Sequence, residues 1–158
     1  MSSGFKCRIE IDADIPNFSN ASVPLKQIAN KIAVNSRKNI RNQTNLDGSS
    51  FAKLSVKTIK DKKREGSSYP YRALYRKGIM YNAIHVYNRG KNVFEVGIIP
   101  RGKPRRDYVG YIHQEIGPII RSFLGMNSQI AKWAKDRFSR WIKECKEKSV
   151  KRKINYNY

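Results

Sequence analysis

The 158-residue chain is short of the residue types from which most chemical sites are built. It holds two cysteines, two histidines and only 12 Asp+Glu. Cys7 and Cys145 lie near opposite ends of the chain and no Cys-x-x-Cys occurs, so they cannot make a zinc site alone. Two free thiols in a reducing compartment are the expectation. No run of about 18 apolar residues is present, which excludes a membrane-spanning helix. "MSSGFKCRIEIDADI" has no basic stretch leading into an apolar one, so no secretion signal is expected.

The scarcity of acids and histidines also bears on catalysis. A nuclease needs two or three clustered carboxylates to hold a divalent cation. Here Asp47, Asp61, Glu65, Glu95, Asp107 and Glu115 are scattered. His85 and His113 fall on different elements without ligand spacing. His113 and Glu115 lie about 200° apart on a helix, so they do not form an acid-base pair within it. Gly102-Lys103 lacks the spacing and the Ser/Thr of a phosphate loop. The chain is expected to be no enzyme, with no catalytic residues, no metal and no cofactor.

Positive charge is what the chain has in excess, with 33 Lys+Arg and a formal net charge of +21. That exceeds what solubility requires and suits a polyanionic neighbour, either nucleic acid or a strongly acidic protein surface. Three clusters carry much of it: Lys57, Lys60, Lys62, Lys63 and Arg64; Arg101, Lys103, Arg105 and Arg106; and Lys146, Lys148, Lys151, Arg152 and Lys153. Each alone reads as a solvated face. No RNA-binding signature or helix-turn-helix pattern accompanies them, so nucleic acid would be met at its phosphates without base reading.

Hydrophobic periodicity supplies the scaffold. Phe5, Cys7, Ile9 and Ile11 alternate with Lys6, Arg8, Glu10 and Asp12 as a half-buried strand. Leu25, Ile28, Ala29, Ile32, Ala33, Ser36 and Ile40 predict a helix from about Pro24 to Arg41, its stripe against a sheet. Asp47-Gly48 is a turn, Phe51 and Leu54 are loop anchors, and Ser55–Arg64 is a short, very basic helix. Ala73, Leu74, Ile79, Met80 and Ile84 suggest another short helix, interrupted at Gly78. "AIHVYN" and "NVFEVGII" form a hairpin around "RGK", with Phe94, Val96 and Ile98 on one face. "PRGKPRRD" is an exposed basic loop. Ile130, Trp133, Ala134, Phe138, Trp141, Ile142 and Cys145 stripe a final helix capped by Asn127 or Ser128. The tail lacks helical periodicity. The expectation is one α+β domain over residues 1–148, a small, mainly antiparallel sheet covered on one face by two long helices, with a flexible basic tail over 149–158.

The ordered motifs resemble the phage virion morphogenesis family, the tail-completion proteins of Mu-like and P2-like phages. "QTNLDGSSFAKLSVKTIKDKK" is similar to the family's early segment at Gln43, Asp47, Gly48, Phe51, Leu54 and Thr58. Leu74, Lys77, Gly78, Met80, Ala83 and Ile84 resemble its next motif, and Val96-Gly97 its strand ending. Tyr108, His113, Gln114, Gly117, Arg121, Phe123, Leu124 and Gly125 resemble the last two motifs in order. Leu46 stands where the family has Pro, Phe51 where it has Trp, and Lys77 where it has Thr. The matched region runs from about Gln43 to Ile142.

The resemblance implies a structural virion protein at the neck, assembled in the host cytoplasm as a ring. Its implied partners are tail terminator or tail tube proteins, portal or neck connector proteins, and packaged DNA. Ile119, Ile120, Arg121, Phe123 and Leu124 are then expected at a subunit or ring contact, with Arg121→Glu plus Phe123→Ala leaving the monomer folded. Lys57, Lys60, Lys63, Arg64, Arg101, Lys103, Arg105, Arg106, Lys151, Arg152 and Lys153 are expected to face DNA or an acidic partner ring. The alternatives are a sequence-independent nucleic-acid-binding protein and, with least support, a small nuclease.

Overall fold

The computed structural model describes residues 6–10, 21–75, 78–98 and 119–155, with 6–10 and 148–155 as backbone alone. Three strands form one antiparallel sheet in the order β1-β3-β2: β1 (Lys6–Glu10), β2 (Ile84–Gly90) and β3 (Val93–Ile98). Among the described residues, four helices accompany it: α1 (Ser22–Asn42), α2 (Val56–Arg64), α3 (Ile79–Asn82) and α4 (Ser128–Asn155). This is the α+β class that the periodicities predict.

The two repeat lengths meet in the core. Leu25, Ile28, Ala29, Ile32, Ala33, Ser36 and Ile40, one face of α1 at helical spacing, are all buried. They lie over β2 and β3, where Phe94, Val96 and Ile98 are buried at the strand period of two. Burying side chains of this size stabilises the fold by about 1.5–3 kcal/mol each. β3 is the central strand. It pairs with β1 through Cys7↔Val96 and Ile9↔Phe94, and with β2 through Val86↔Val96 and Ile84↔Ile98.

Some boundaries differ from the periodicity reading. The hairpin turns at Lys91-Asn92, not across "RGK", and Gly90 ends β2 without a positive φ. The register shifts between Asn88 and Gly90, so one strand accommodates an extra residue at Arg89. Asn92 instead holds the start of α1, its Oδ1 accepting from the Ala21 N–H at 3.2 Å. The second long helix does not lie directly on the sheet as its main contact. α4 packs chiefly against α1 through Ile130, Ala134 and Trp141, with Trp133, Phe138, Ile142 and Cys145 partly buried around them. Its backbone stays helical to Asn155, past the point where the sequence loses its apolar stripe and a tail is expected.

Candidate functional site

Two constructions stand out beyond the core, and both begin at loops that the sequence marks only partly. The first is the connection from α1 into residues 43–52. Gln43 ends α1 in the left-handed conformation, φ 60°, with its N–H turned back on the Asn39 and Ile40 carbonyls. Its carboxamide pairs with the backbone of Ala73, donating from Nε2 to the carbonyl at 3.0 Å and accepting the Ala73 N–H at Oε1. One side chain therefore caps a helix and pins a distant loop. Asp47 closes an Asx turn, accepting from the Ser49 N–H at 2.9 Å and the Ser49 hydroxyl at 2.6 Å. Those bonds hold its carboxyl below the ordinary value of 3.8. Gly48 follows at φ +88°, which favours glycine.

Residues 121–125 dock on this loop. The Leu46 N–H donates to the Ser122 carbonyl at 2.7 Å, and the Ser122 N–H donates to Asn45 Oδ1 at 3.0 Å. Arg121 donates to the Ala52 carbonyl at 3.0 Å, and Asn39 Nδ2 donates to the Phe123 carbonyl at 3.3 Å. Gly125, at φ +149°, lies so close that an added Cβ would stand 2.9 Å from Leu46 Cδ1. Asn45, Leu46 and Ala52 on one segment and Arg121, Ser122 and Gly125 on the other thus join the two into one unit.

That packing corrects the expected ring contact. Phe123 is 0% exposed, Leu124 2% and Arg121 3%. Their side chains are spent inside the chain, because this short apolar segment is buried against α1 and residues 45–52. Burial pushes the Arg121 pKa down. Ile119 and Ile120 alone of the five present themselves to solvent, at 43% and 55%. The double change Arg121→Glu plus Phe123→Ala therefore removes core and places a carboxylate in it, and is expected to destabilise the monomer itself.

The second construction is α2 with the loop after it. Ser55 caps α2, accepting from the Thr58 N–H at 3.2 Å. Lys57, Lys60, Lys63 and Arg64 are exposed on it. Lys62, in the middle of the same basic run, is 4% exposed. Its ammonium donates to the backbone carbonyls of Tyr69, Arg72 and Tyr75 at 3.0, 2.5 and 3.2 Å. Three loop carbonyls are thus gathered on one cation, and the loop is tied to α2. Lys62 follows Ile59 by three residues, on the thin apolar side of the helix. That spacing was the available signal, masked by the neighbouring lysines.

Arg101, Lys103, Arg105, Arg106, Tyr108, His113, Gln114, Glu115 and Gly117 lie outside the described residues. Lys151, Arg152 and Lys153 are placed on the backbone of α4. His85 sits on β2, its ring 6.1 Å from that of Tyr87. Among the described residues, no group of three or more His, Cys, Asp or Glu stands together as a metal site would require. No described helix is long and apolar enough to cross a membrane.

A groove of about 600 Å³ separates the C-terminal half of α1, residues 44–48 and the start of α4. Carboxamides of Asn35, Asn39, Asn42, Asn45, Asn127 and Gln129 line it, with Lys38 and Asp47. Several already serve the scaffold: Asn127 Oδ1 accepts from the Ile130 N–H at 2.9 Å as the cap of α4, and Asn45 and Asn39 hold residues 121–125. The groove is the wall of the first construction. No protein-family model, curated protein or solved structure matches the chain.

Proposed function

We propose that the chain is a non-enzymatic structural virion protein of the phage neck. In this reading it completes the tail and joins it to the head as one copy in a homo-oligomeric ring. Its neighbours are tail terminator or tail tube proteins on one side and portal or neck connector proteins on the other, and it assembles in the host cytoplasm.

The observation that supports the reading most is the docking of two motif-bearing segments on each other. Asn45 and Ser122, 77 residues apart in the chain, are hydrogen-bonded, and Gly125 and Leu46 are in close approach beside them. The segments that carry the first and last motifs are thus docked on each other, through Asn45 and Leu46 on one side and Ser122 and Gly125 on the other. With Phe123, Leu124 and Arg121 committed to the core, Ile119 and Ile120 are the part of the expected ring contact left for a neighbouring copy. The basic face of α2 supplies the surface for DNA phosphates or an acidic ring.

Deleting the gene in its phage tests the reading. Filled heads and finished tails should accumulate unjoined, and the chain supplied in trans should restore infectious particles. Normal yields of joined particles from the deletion would refute it.

A further inference from the structure

The loop after α2 carries two tyrosines that the core does not use. In "SYPY", Tyr69 is 44% exposed and Tyr71 66% exposed. Tyrosine beside a basic helix is commonly buried in a sheet, and here it is not. Lys63 Nζ stands 5.1 Å from the centre of the Tyr71 ring. The Arg72 guanidinium lies 4.8 Å from that of Tyr69 and 5.9 Å from that of Tyr75. Tyr75 meets Tyr69 edge-on at 5.0 Å. These rings are held in place on one side by cations, and two thirds of Tyr71 still faces solvent.

The loop's rigidity comes from beneath. Lys62 binds the carbonyls of Tyr69, Arg72 and Tyr75, so the ring platform and the cations of α2 move as one body. Lys63 stands at the Tyr71 ring, and Lys57, Lys60 and Arg64 are exposed along the same helix. Asp61 offsets part of that charge, its carboxylate 3.1 Å from Arg64. Lysine alone would give a phosphate surface indifferent to the strand state of the nucleic acid. Exposed rings fixed among phosphate-reaching cations add stacking, which only an unpaired base can accept.

We infer that the face formed by α2 and Tyr69–Tyr71 binds single-stranded nucleic acid, with Tyr71 as the stacking ring and Lys57, Lys60 and Lys63 on the phosphates. This goes beyond the neck reading, with which it shares the basic face of α2, and it stands on the exposed rings that the neck reading does not use.

The test uses the full chain and fluorescence anisotropy, with a labelled oligo-dT of about 20 nucleotides, a duplex of equal length, and polyglutamate as competitor. The single strand should bind more tightly than the duplex at equal salt. Tyr71→Ala should weaken oligo-dT binding about 5- to 100-fold and leave duplex binding unchanged, while Tyr71→Phe retains both. Lys57→Ala, Lys60→Ala and Lys63→Ala together should weaken both ligands and lower the salt slope for the single strand by about 2. Circular dichroism establishes that each variant is folded. The inference is overturned if the duplex binds as tightly as the single strand, if a folded Tyr71→Ala variant binds oligo-dT like the parent, or if polyglutamate competes as well as oligo-dT. The last outcome would make the face a general polyanion surface suited to an acidic protein.

Discussion

At the scale of single residues, three positions separate surface charge from structure. Lys62 and Lys57 are alike in sequence context, yet one is buried on three carbonyls and the other is exposed. Lys62→Met should cost about 3 kcal/mol in urea unfolding, since it removes three charge-assisted hydrogen bonds to the loop carbonyls. Lys57→Met should change stability by less than about 0.5 kcal/mol. Phe123→Ala, at a fully buried ring, should cost about 3–5 kcal/mol by the same measurement. Asp47 provides a pH signature. Its pKa is lowered in the fold, so its stabilisation is complete above the unfolded value of 3.8 and is lost as pH falls through the folded value. The stability difference between the parent and Asp47→Asn should therefore shrink as pH drops below 3.8, as followed by acid titration of the unfolding midpoint.

At the scale of elements, the docking of residues 121–125 on residues 43–52 is the feature to probe. Gly125→Ala combines an unfavourable φ with a close approach to Leu46 and should destabilise by more than about 1 kcal/mol. A double-mutant cycle with Leu46→Ala should recover the part due to contact and leave the part due to φ. The elements themselves were largely legible from their periods. The α1 stripe from Leu25 to Ile40 and the β3 alternation of Phe94, Val96 and Ile98 are buried as predicted. A core face is written as repeated local spacing, so it survives without knowledge of the fold. The fate of Phe123 and Leu124 was not legible, because only a partner 77 residues away decides whether an apolar loop is covered. Gly90 misled for a related reason: the loop chemistry suited a turn there, while the register of the strands set it at Lys91-Asn92. Lys62 was hidden because composition counts charge, whereas burial depends on the loop that returns over α2.

At the scale of the molecule, a net charge of +21 on 158 residues sets the field, and the fold decides where that field can be used. The core takes the α1 face, the sheet and residues 121–125. In the proposed reading, the exposed face of α2 serves a polyanion, and the exposed Ile119 and Ile120 serve a neighbouring copy. The central claim, a structural ring protein at the neck, is tested most directly by an electron cryomicroscopy reconstruction of the neck in the particle that carries this gene. The account predicts a closed ring whose subunits accommodate the 21-residue α1 packed between the three-stranded sheet and α4, with Ile119 and Ile120 at the contact between copies. A fully joined neck with no density for this chain would contradict it.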